Sequence, residues 1–381
     1  MKVILSVDAI RFPLTGTGRY TLELARHLAA LPEMDDMKLF AGSRFVQDLP
    51  APQQGASARV GQLKRLAQKS DAVVALRQWM LNAARKRALR DYSDHVFHGP
   101  NYYLPPFAGR SVVTIHDVSM FTMPQCHPPE RVRFMQKEIA ASLKQASFVI
   151  TDSDHARAEI IRVFGWRETH IEAIPLACSA AFHPRPAEHL SGALKRFGLA
   201  PDRYCLFAST IEPRKNVDTL LAAYGQLPDT VKRASPLVLV GHRGWRSEKT
   251  HETIARAQQD GWARYFGYVS DEELPLLYAG ARLFAFPSLY EGFGLPVLEA
   301  MASGVAVIAS SAASLPEVGG KAACYVSPDD VDALSHALAR GLEDENWRQS
   351  ARQKGLVQAA NFSWNRTAEL TANIYRRLET A

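Results

Sequence analysis

The sequence predicts an α/β protein made of two doubly wound domains facing a central cleft. Three observations carry this expectation. Short apolar runs alternate with longer amphipathic stretches along the chain, the pattern of parallel strands joined by crossover helices. The alternation comes as two series, separated by the Pro-rich segment Pro175-Leu176 to Pro184-Arg185-Pro186, where a linker is expected. The length, 381 residues, accommodates two domains of ordinary size.

In the first series, Val3–Val7, Val112–Ile115, Phe148–Thr151 and Ile171–Ile174 read as buried strands, and Tyr20–Leu31, Pro129–Gln145 and Ser153–Phe164 as helices. In the second, Tyr204–Ala208, Leu237–Val240, Ala263–Phe266, Leu283–Phe286 and Val305–Ala309 read as strands with helices between them. The expected domains are residues 1–180 and 187–361. Trp364 to Leu378, after Asn361-Phe362-Ser363, carries helical periodicity. Two such sheets facing each other place their strand carboxyl ends around one crevice, the usual ligand site of open α/β sheets.

Composition excludes several classes. With 47% hydrophobic and 22% charged residues the chain is neither disordered nor membrane-spanning. Cys126, Cys178, Cys205 and Cys324 lie far apart without a C-x-x-C pair, which suits a reducing compartment and gives no metal framework. The opening Met1-Lys2-Val3-Ile4-Leu5-Ser6-Val7-Asp8 reads as a strand and not a signal peptide, so a soluble cytoplasmic protein is expected. The net charge of +6 is concentrated between Arg59 and Arg90, where Lys64, Arg65, Lys69, Arg77, Arg85, Lys86 and Arg87 face only Asp71, interleaved with Trp79, Met80 and Leu81. This segment reads either as a solvated helical face or as a peripheral contact with an anionic membrane or acceptor. No nucleic-acid motif accompanies it.

The most informative stretch is Tyr290-Glu291-Gly292-Phe293-Gly294-Leu295-Pro296-Val297-Leu298-Glu299, directly after the apolar run Leu283–Phe286. A glycine turn here runs into a helix, with Pro296 at its first position and Glu299 in its first turn. Free N–H groups at such an end attract a phosphate. Carboxylates placed beside an anion site are suited to accept hydrogen bonds from sugar hydroxyls. Upstream, Ser209-Thr210-Ile211-Glu212-Pro213-Arg214-Lys215-Asn216 puts a planar fork and a mobile point charge in one strand-to-helix loop, which makes a diphosphate clamp. His116-Asp117 ends the Val112–Ile115 strand and so points into the cleft.

The spacing from Glu291 to Glu299 resembles the E-x7-E motif of the retaining glycosyltransferases of family 4, which have the GT-B fold of two Rossmann-like domains. The resemblance spans nearly the whole chain and is most specific from Glu212 to Glu317. It implies that Glu299 holds the ribose of a nucleotide sugar and that Glu291 contacts the donor sugar. The turn Gly292, Phe293, Gly294 and Leu295 meets sugar hydroxyls or phosphates through its backbone. It implies further that Arg214 and Lys215 hold the diphosphate, that His116 lies near the reaction centre, and that Asp117 is its neighbour or an acceptor contact. Gly16 and Gly18 form a loop that approaches the donor phosphate, a task suited to residues without a Cβ. A dinucleotide reading of that loop is weak: Thr21 stands where a third small residue belongs, and the stretch from Val7 to Gly16 is long for such a turn. Gly244, in Gly241-His242-Arg243-Gly244-Trp245, and Val269, in Tyr268-Val269-Ser270-Asp271, match donor-binding segments. Tyr102 and Tyr103, after His98-Gly99-Pro100-Asn101, are assigned to the acceptor or, equally, to packing. By the same resemblance, residues 362–381 cross back onto the first domain.

The resemblance thus implies a retaining hexosyltransferase, with GDP-mannose as first choice of donor. The implied acceptor is a glycan or lipid-linked oligosaccharide of a bacterial surface polysaccharide, at the inner membrane face. No cofactor and no metal are expected: Asp152-Ser153-Asp154 is a literal D-x-D, but it precedes a helix and reads as its N-cap. Rhamnosyl or glucosyl transfer, a phosphorylase or epimerase on the same scaffold, and a non-catalytic sugar-nucleotide-binding protein stay open at this point.

Overall fold

The computed structural model describes residues 1–51 and 71–380. Its first sheet contains β1 (Lys2–Ser6), β2 (Asp36–Ala41), β3 (Arg44–Val46), β4 (Val96–Gly99), β5 (Arg110–Thr114), β6 (Phe148–Thr151) and β7 (Ile171–Ala173), in the order β3-β2-β1-β4-β5-β6-β7. Only the edge strand β3 runs antiparallel to its neighbour. The second sheet contains β8 (Cys205–Ala208), β9 (Leu237–Val240), β10 (Ala263–Tyr265), β11 (Leu283–Phe286), β12 (Ala306–Ser310) and β13 (Cys324–Val326), all parallel, in the order β10-β9-β8-β11-β12-β13.

Strand order reverses between β1 and β4 in one sheet and between β8 and β11 in the other. These are the two switch points at which a doubly wound sheet opens a crevice. Side chains of β1 alternate as a two-residue period requires: Val3 and Leu5 join the core around Tyr20 and Leu24, and Ile4 joins the opposite core with Phe97, Val113 and Val149. Strands β6, β8, β9 and β11 are buried along their whole length, which explains their unbroken apolar sequences.

After residues 174–186 the chain enters the helix Ala187–Lys195, and it leaves the second sheet through the helix Glu345–Ala359. The helix Trp364–Thr380 then packs against Gly16–Ala29, with Trp364, Ala368, Ala372, Ile374 and Tyr375 buried. The Tyr375 hydroxyl lies 2.6 Å from Nδ1 of His98, whose Nε2 is 2.8 Å from Oγ1 of Thr114.

Several elements differ from expectation. Strands β2, β3, β4 and β13 are absent from the sequence reading. β2 is mostly half-buried, so its pattern is mixed, and β4 hides a histidine in a fully buried strand. His98 therefore faces the last helix and not the cleft. Gly16-Thr17-Gly18 is not a loop: it opens the helix Gly16–Ala29, capped by Thr15, whose hydroxyl accepts from the Gly18 N–H. Of the basic segment, Arg59, Lys64, Arg65 and Lys69 lie outside the described residues. Its remainder forms the helix Asp71–Ala88, with Trp79 69% and Met80 59% exposed. No helix among the described residues is long and apolar enough to cross a membrane.

Candidate functional site

The second-domain wall of the cleft is built at the β8/β11 switch point. After β8 the chain makes one tight turn, Pro213–Lys215, and Asn216 leaves it at φ +57°. The Asn216 amide donates to the carbonyls of Pro287 and Pro328 at 3.0 and 2.6 Å, which pins the loop to the end of β11. Glu212 accepts from the backbone N–H and the Nε of Arg214, at 3.0 and 3.2 Å, and so orients the guanidinium. Arg214 in turn donates to the Tyr290 carbonyl at 3.0 Å.

These contacts converge on Glu291. Its Oε1 accepts from Nζ of Lys215 and from Oγ of Ser288, each at 2.6 Å, and its Oε2 is 3.6 Å from Arg214. Burial pushes the Glu291 carboxyl up, but the two cations and Ser288 outweigh it and hold the group below its ordinary range. Burial pulls Lys215 below the usual lysine value, against the raising pull of Glu291. Two carboxylates, Glu212 and Glu291, face the two cations, so what the cluster offers a further anion is hydrogen-bond donors and not surplus charge.

The turn itself needs glycine at two positions. A Cβ on Gly292 would stand 1.9 Å from the His116 carbonyl oxygen, and Gly294 sits at φ +113°. Ser314 donates to the carbonyls of Glu291 and Phe293 at 2.9 and 2.7 Å, fixing the turn from below. The helix that follows is Leu295–Ala302, which moves Pro296 to its second position and Glu299 beyond the first turn. Glu299 is buried, 8% exposed. Burial pushes its carboxyl up to about 7, opposed by Arg19 and Tyr278 and aided by Asp271.

That shift has a thermodynamic sign. A carboxyl with a raised folded-state pKa binds a proton that the unfolded chain has already released, so stability falls as pH rises from the unfolded value of 4.5 to about 7. Glu299→Gln is expected to raise Tm at pH 8, by about 2–4 °C per kcal/mol recovered, with the gain vanishing toward pH 4.5. Calorimetry across this range checks it. The same variant is expected to weaken nucleoside diphosphate binding about tenfold, measured by titration calorimetry.

The first-domain wall is built at the end of β5. Nδ1 of His116 lies 2.7 Å from Oδ2 of Asp152, and Nε2 lies 3.1 Å from the Pro100 carbonyl. A carbonyl only accepts, so Nε2 carries hydrogen, and Nδ1 carries one as well when Asp152 is ionised; burial raises the Asp152 carboxyl against the lowering pull of His116. Burial opposes the charge, yet Asp152 and Asp117 outweigh it and raise His116 above its ordinary value. The Tyr20 ring meets the imidazole edge-on, at 4.9 Å and 86°. Asp117 accepts from the N–H and the Oγ of Ser119 at 2.9 and 2.6 Å. Burial would raise Asp117, but Arg214 across the cleft and Ser119 bring it below the usual range.

The two walls meet directly. Ser153 donates to the Gly292 carbonyl at 2.6 Å, and Glu317 accepts from the N–H groups of Asp154 and His155 at 2.8 Å each. Tyr290 bonds Glu159, Trp245 donates to the Cys126 carbonyl at 2.7 Å, and Arg19 pairs with Asp271 at 2.8 Å.

Arg214, Lys215, Glu291, the Gly292–Leu295 turn, His116 and Asp117 thus gather at one place, with Glu299 one helical turn away. Gly18 lies at the start of its helix, where a Cβ would stand 2.9 Å from the Ala9 carbonyl, whereas nothing lies within 4 Å of a Cβ on Gly16. Gly244 packs on the Ile211 carbonyl, and Val269 is buried beside Tyr268, which stacks on His242 at 4.7 Å. Tyr102 is half-buried at φ +22°, and the Tyr103 hydroxyl is bound by Arg85 and Asn82, at 2.6 and 2.9 Å. Among the described residues no hydrogen bond or ring contact links either tyrosine to the Arg214–Glu291 cluster.

Sequence reasoning missed Asp152. The N-cap is Ser153, which accepts from the Ala156 N–H at 3.1 Å, and Asp152 is free to serve His116. The pairing follows from strand order: β5 and β6 are parallel neighbours, so residues just after each lie side by side. Glu212, Ser288 and Glu317 were also missed as partners. Among the described residues no three His, Cys, Asp or Glu side chains are grouped to hold a metal ion.

Comparison with known proteins shows the family and the fold. Residues 195–357 match the family described as glycosyl transferases group 1. The chain is 43% identical over 382 residues to the O-antigen chain mannosyltransferase B of Escherichia coli, covering 99% of this chain and 100% of that protein. It is 33% identical over 257 residues to the serotype-specific mannosyltransferase WbdA of Escherichia coli, covering 66% of this chain and 31% of that protein. Among solved structures it superposes on Anabaena HepE in complex with UDP and glucose, with TM-score 0.72, 18% identity and 98% coverage of both chains. It also superposes on WaaG, a glycosyltransferase involved in lipopolysaccharide biosynthesis, with TM-score 0.70, 15% identity, and coverage of 98% of this chain and 99% of that one.

Proposed function

This chain belongs to the group 1 glycosyl transferases, and we propose that it transfers mannose from GDP-mannose, with retention of configuration, to a glycan or lipid-linked oligosaccharide of a surface polysaccharide. The observation that carries the reading is the buried Lys215–Glu291 pair at 2.6 Å, flanked by Arg214 and set at the entrance of the Leu295–Ala302 helix. The whole-length likeness to an O-antigen chain mannosyltransferase supports the choice of sugar and product.

In this reading the donor diphosphate takes hydrogen bonds from Arg214, Lys215 and the free N–H groups of the turn. As the glycosidic bond breaks, negative charge grows on the departing phosphate, and preplaced cations stabilise it without reorganising. Glu291 accepts from the sugar hydroxyls, and Glu299 from the ribose. His116, locked by Asp152, presents a fixed positive group at the opposite wall. The phosphate itself helps to take the acceptor's proton, so no protein nucleophile is required for retention. Closure through Ser153, Glu317 and Trp245 excludes water and limits donor hydrolysis. With two cations at the leaving group, activity is expected to survive EDTA.

The test is turnover of the purified chain with a panel of nucleoside diphosphate sugars, followed by NMR of the new anomeric centre. Nucleoside diphosphate release with GDP-mannose and an α-linked product is the expected result. Release with another sugar alone would replace the donor, and an inverted product would remove the retaining assignment.

The same reading includes peripheral contact with an anionic membrane. Trp79 and Met80 are exposed on the helix Asp71–Ala88, and Lys86, Arg87 and Arg90 are exposed beyond them. Apolar anchors beside basic groups bind anionic interfaces. Trp79→Ala together with Met80→Ser is expected to lower affinity for phosphatidylglycerol vesicles about tenfold or more, read by co-flotation. Equal binding to neutral vesicles would remove the contact.

A further inference from the structure

Behind Asp117 stands a short relay that the preceding roles leave unused. Both Ser119 donors, the N–H at 2.9 Å and the Oγ at 2.6 Å, fall on a single atom, Oδ1 of Asp117. Oδ2 accepts no hydrogen bond among the described residues. Nε2 of His127 lies 3.0 Å from the same Ser119 Oγ. Because the Ser119 hydroxyl gives its hydrogen to a carboxylate, its oxygen can only accept from His127. The tautomer of His127 is thereby fixed: Nε2 carries hydrogen and Nδ1 does not. Nδ1 is indeed buried with no partner, and the residue is 2% exposed, its ring 5.8 Å from Trp245 of the second domain.

A hydrogen-bond chain with one allowed direction orients its terminal group. Here it commits one oxygen of Asp117 to the protein and leaves the other as an undivided acceptor facing the cleft. We propose that Ser119 and His127 are positioning residues that aim Oδ2 of Asp117 at the hydroxyl of the incoming acceptor. The proposal rests on the glycosyl-transfer reading and on Asp117 as an acceptor contact.

The charged groups around the relay come from both domains. Asp117 feels Arg214, His116 and Asp152, and Tyr290 stands opposite it. His127 feels Arg214, Asp117, Arg131 and Arg246. Burial, with Arg214 next, lowers His127 to about 4. The ring stays neutral through the working range, where Arg214 and Ser119 keep Asp117 ionised.

The experiment compares the full chain with Ser119→Ala, His127→Phe, His127→Gln and Asp117→Asn. Transfer from GDP-mannose to methyl α-mannoside is followed at pH 8, alongside GDP affinity and the 15N spectrum of the histidines. Ser119→Ala is expected to lower kcat/KM for methyl α-mannoside about tenfold, with GDP affinity unchanged within twofold. His127→Phe is expected to lower it as well. His127→Gln, whose amide can still donate to Ser119, is expected to keep the wild-type value. The wild-type His127 signal is expected to be that of the neutral Nε2–H tautomer and to become a mixture in Ser119→Ala. An acceptor kcat/KM unmoved in both Ser119→Ala and His127→Phe, or a Nδ1–H tautomer in the wild type, overturns the proposal. Full transfer by Asp117→Asn overturns instead the acceptor role of Asp117. Absence of GDP release by the wild type overturns the functional reading beneath both.

Discussion

Lys215→Met is expected to reduce kcat/KM about 10²–10³-fold, the cost of removing one preorganised group from a developing negative charge. It is expected to destabilise the fold as well. Lys215 and Glu291 form a buried pair at 2.6 Å, each less than a tenth exposed. Deleting one partner strands the other charge in a poorly solvated place, at about 3–5 kcal/mol. Glu291 now keeps its charge against burial because Lys215 and Arg214 oppose the desolvation. Without Lys215 only Arg214, 3.6 Å away, and Ser288 hold it. The double variant Lys215→Met with Glu291→Gln removes the stranded charge, so Tm is expected to recover while activity does not. Thermal denaturation and steady-state kinetics of Lys215→Met, Glu291→Gln and the double variant give the cycle. Full destabilisation in the double variant would mean that packing, and not charge, is at stake.

Asp152→Asn is expected to lower kcat on the order of 10²-fold while leaving nucleoside diphosphate affinity nearly unchanged, because Asp152 touches only the first-domain wall. The carboxylate sets the charge of His116 and, with the Pro100 carbonyl, the plane of its ring. An amide in its place keeps the shape and loses the charge. The stability effect carries a sign. His116 has a raised folded-state pKa, so its contribution is fully present below the ordinary histidine value of 6.5 and is lost as pH rises through the elevated one. The Tm gap between wild type and Asp152→Asn is therefore expected to be widest below pH 6.5 and to narrow in alkaline solution. A gap independent of pH would mean that the pair is not ionised.

The sequence showed the parts of the site that one segment holds together. The Glu291–Glu299 turn and the Arg214-Lys215 loop each follow a fully buried strand, and a buried strand is the easiest element to recognise from an apolar run. Their partners were harder to see. Asp152 acts on His116 from the next strand across, and Glu317 caps a first-domain helix from the second domain. Such pairings depend on strand order and domain approach, which no local pattern encodes. The Asp152-Ser153-Asp154 run also offered an adequate local account, an N-cap, and the cap is real, though Ser153 makes it. The helix begins at Leu295, one residue before the expected start, so Glu299 lies beyond the first turn, and its burial was not legible in the motif. Strand β4 was missed because His98 breaks its apolar run, and only the distant Tyr375 makes that histidine acceptable in a core.

That last helix also governs how the molecule comes into being. Strand β1 opens the chain, yet Lys2 gives its backbone N–H to Glu379 at 2.8 Å, and Arg110 binds the Leu378 carbonyl. A nascent first lobe must wait on the ribosome, its flank bare, while the entire second lobe is translated at about 5–20 residues per second. The flank is sealed only once the helix Trp364–Thr380 has been made, so a segment translated after the second lobe completes the older half.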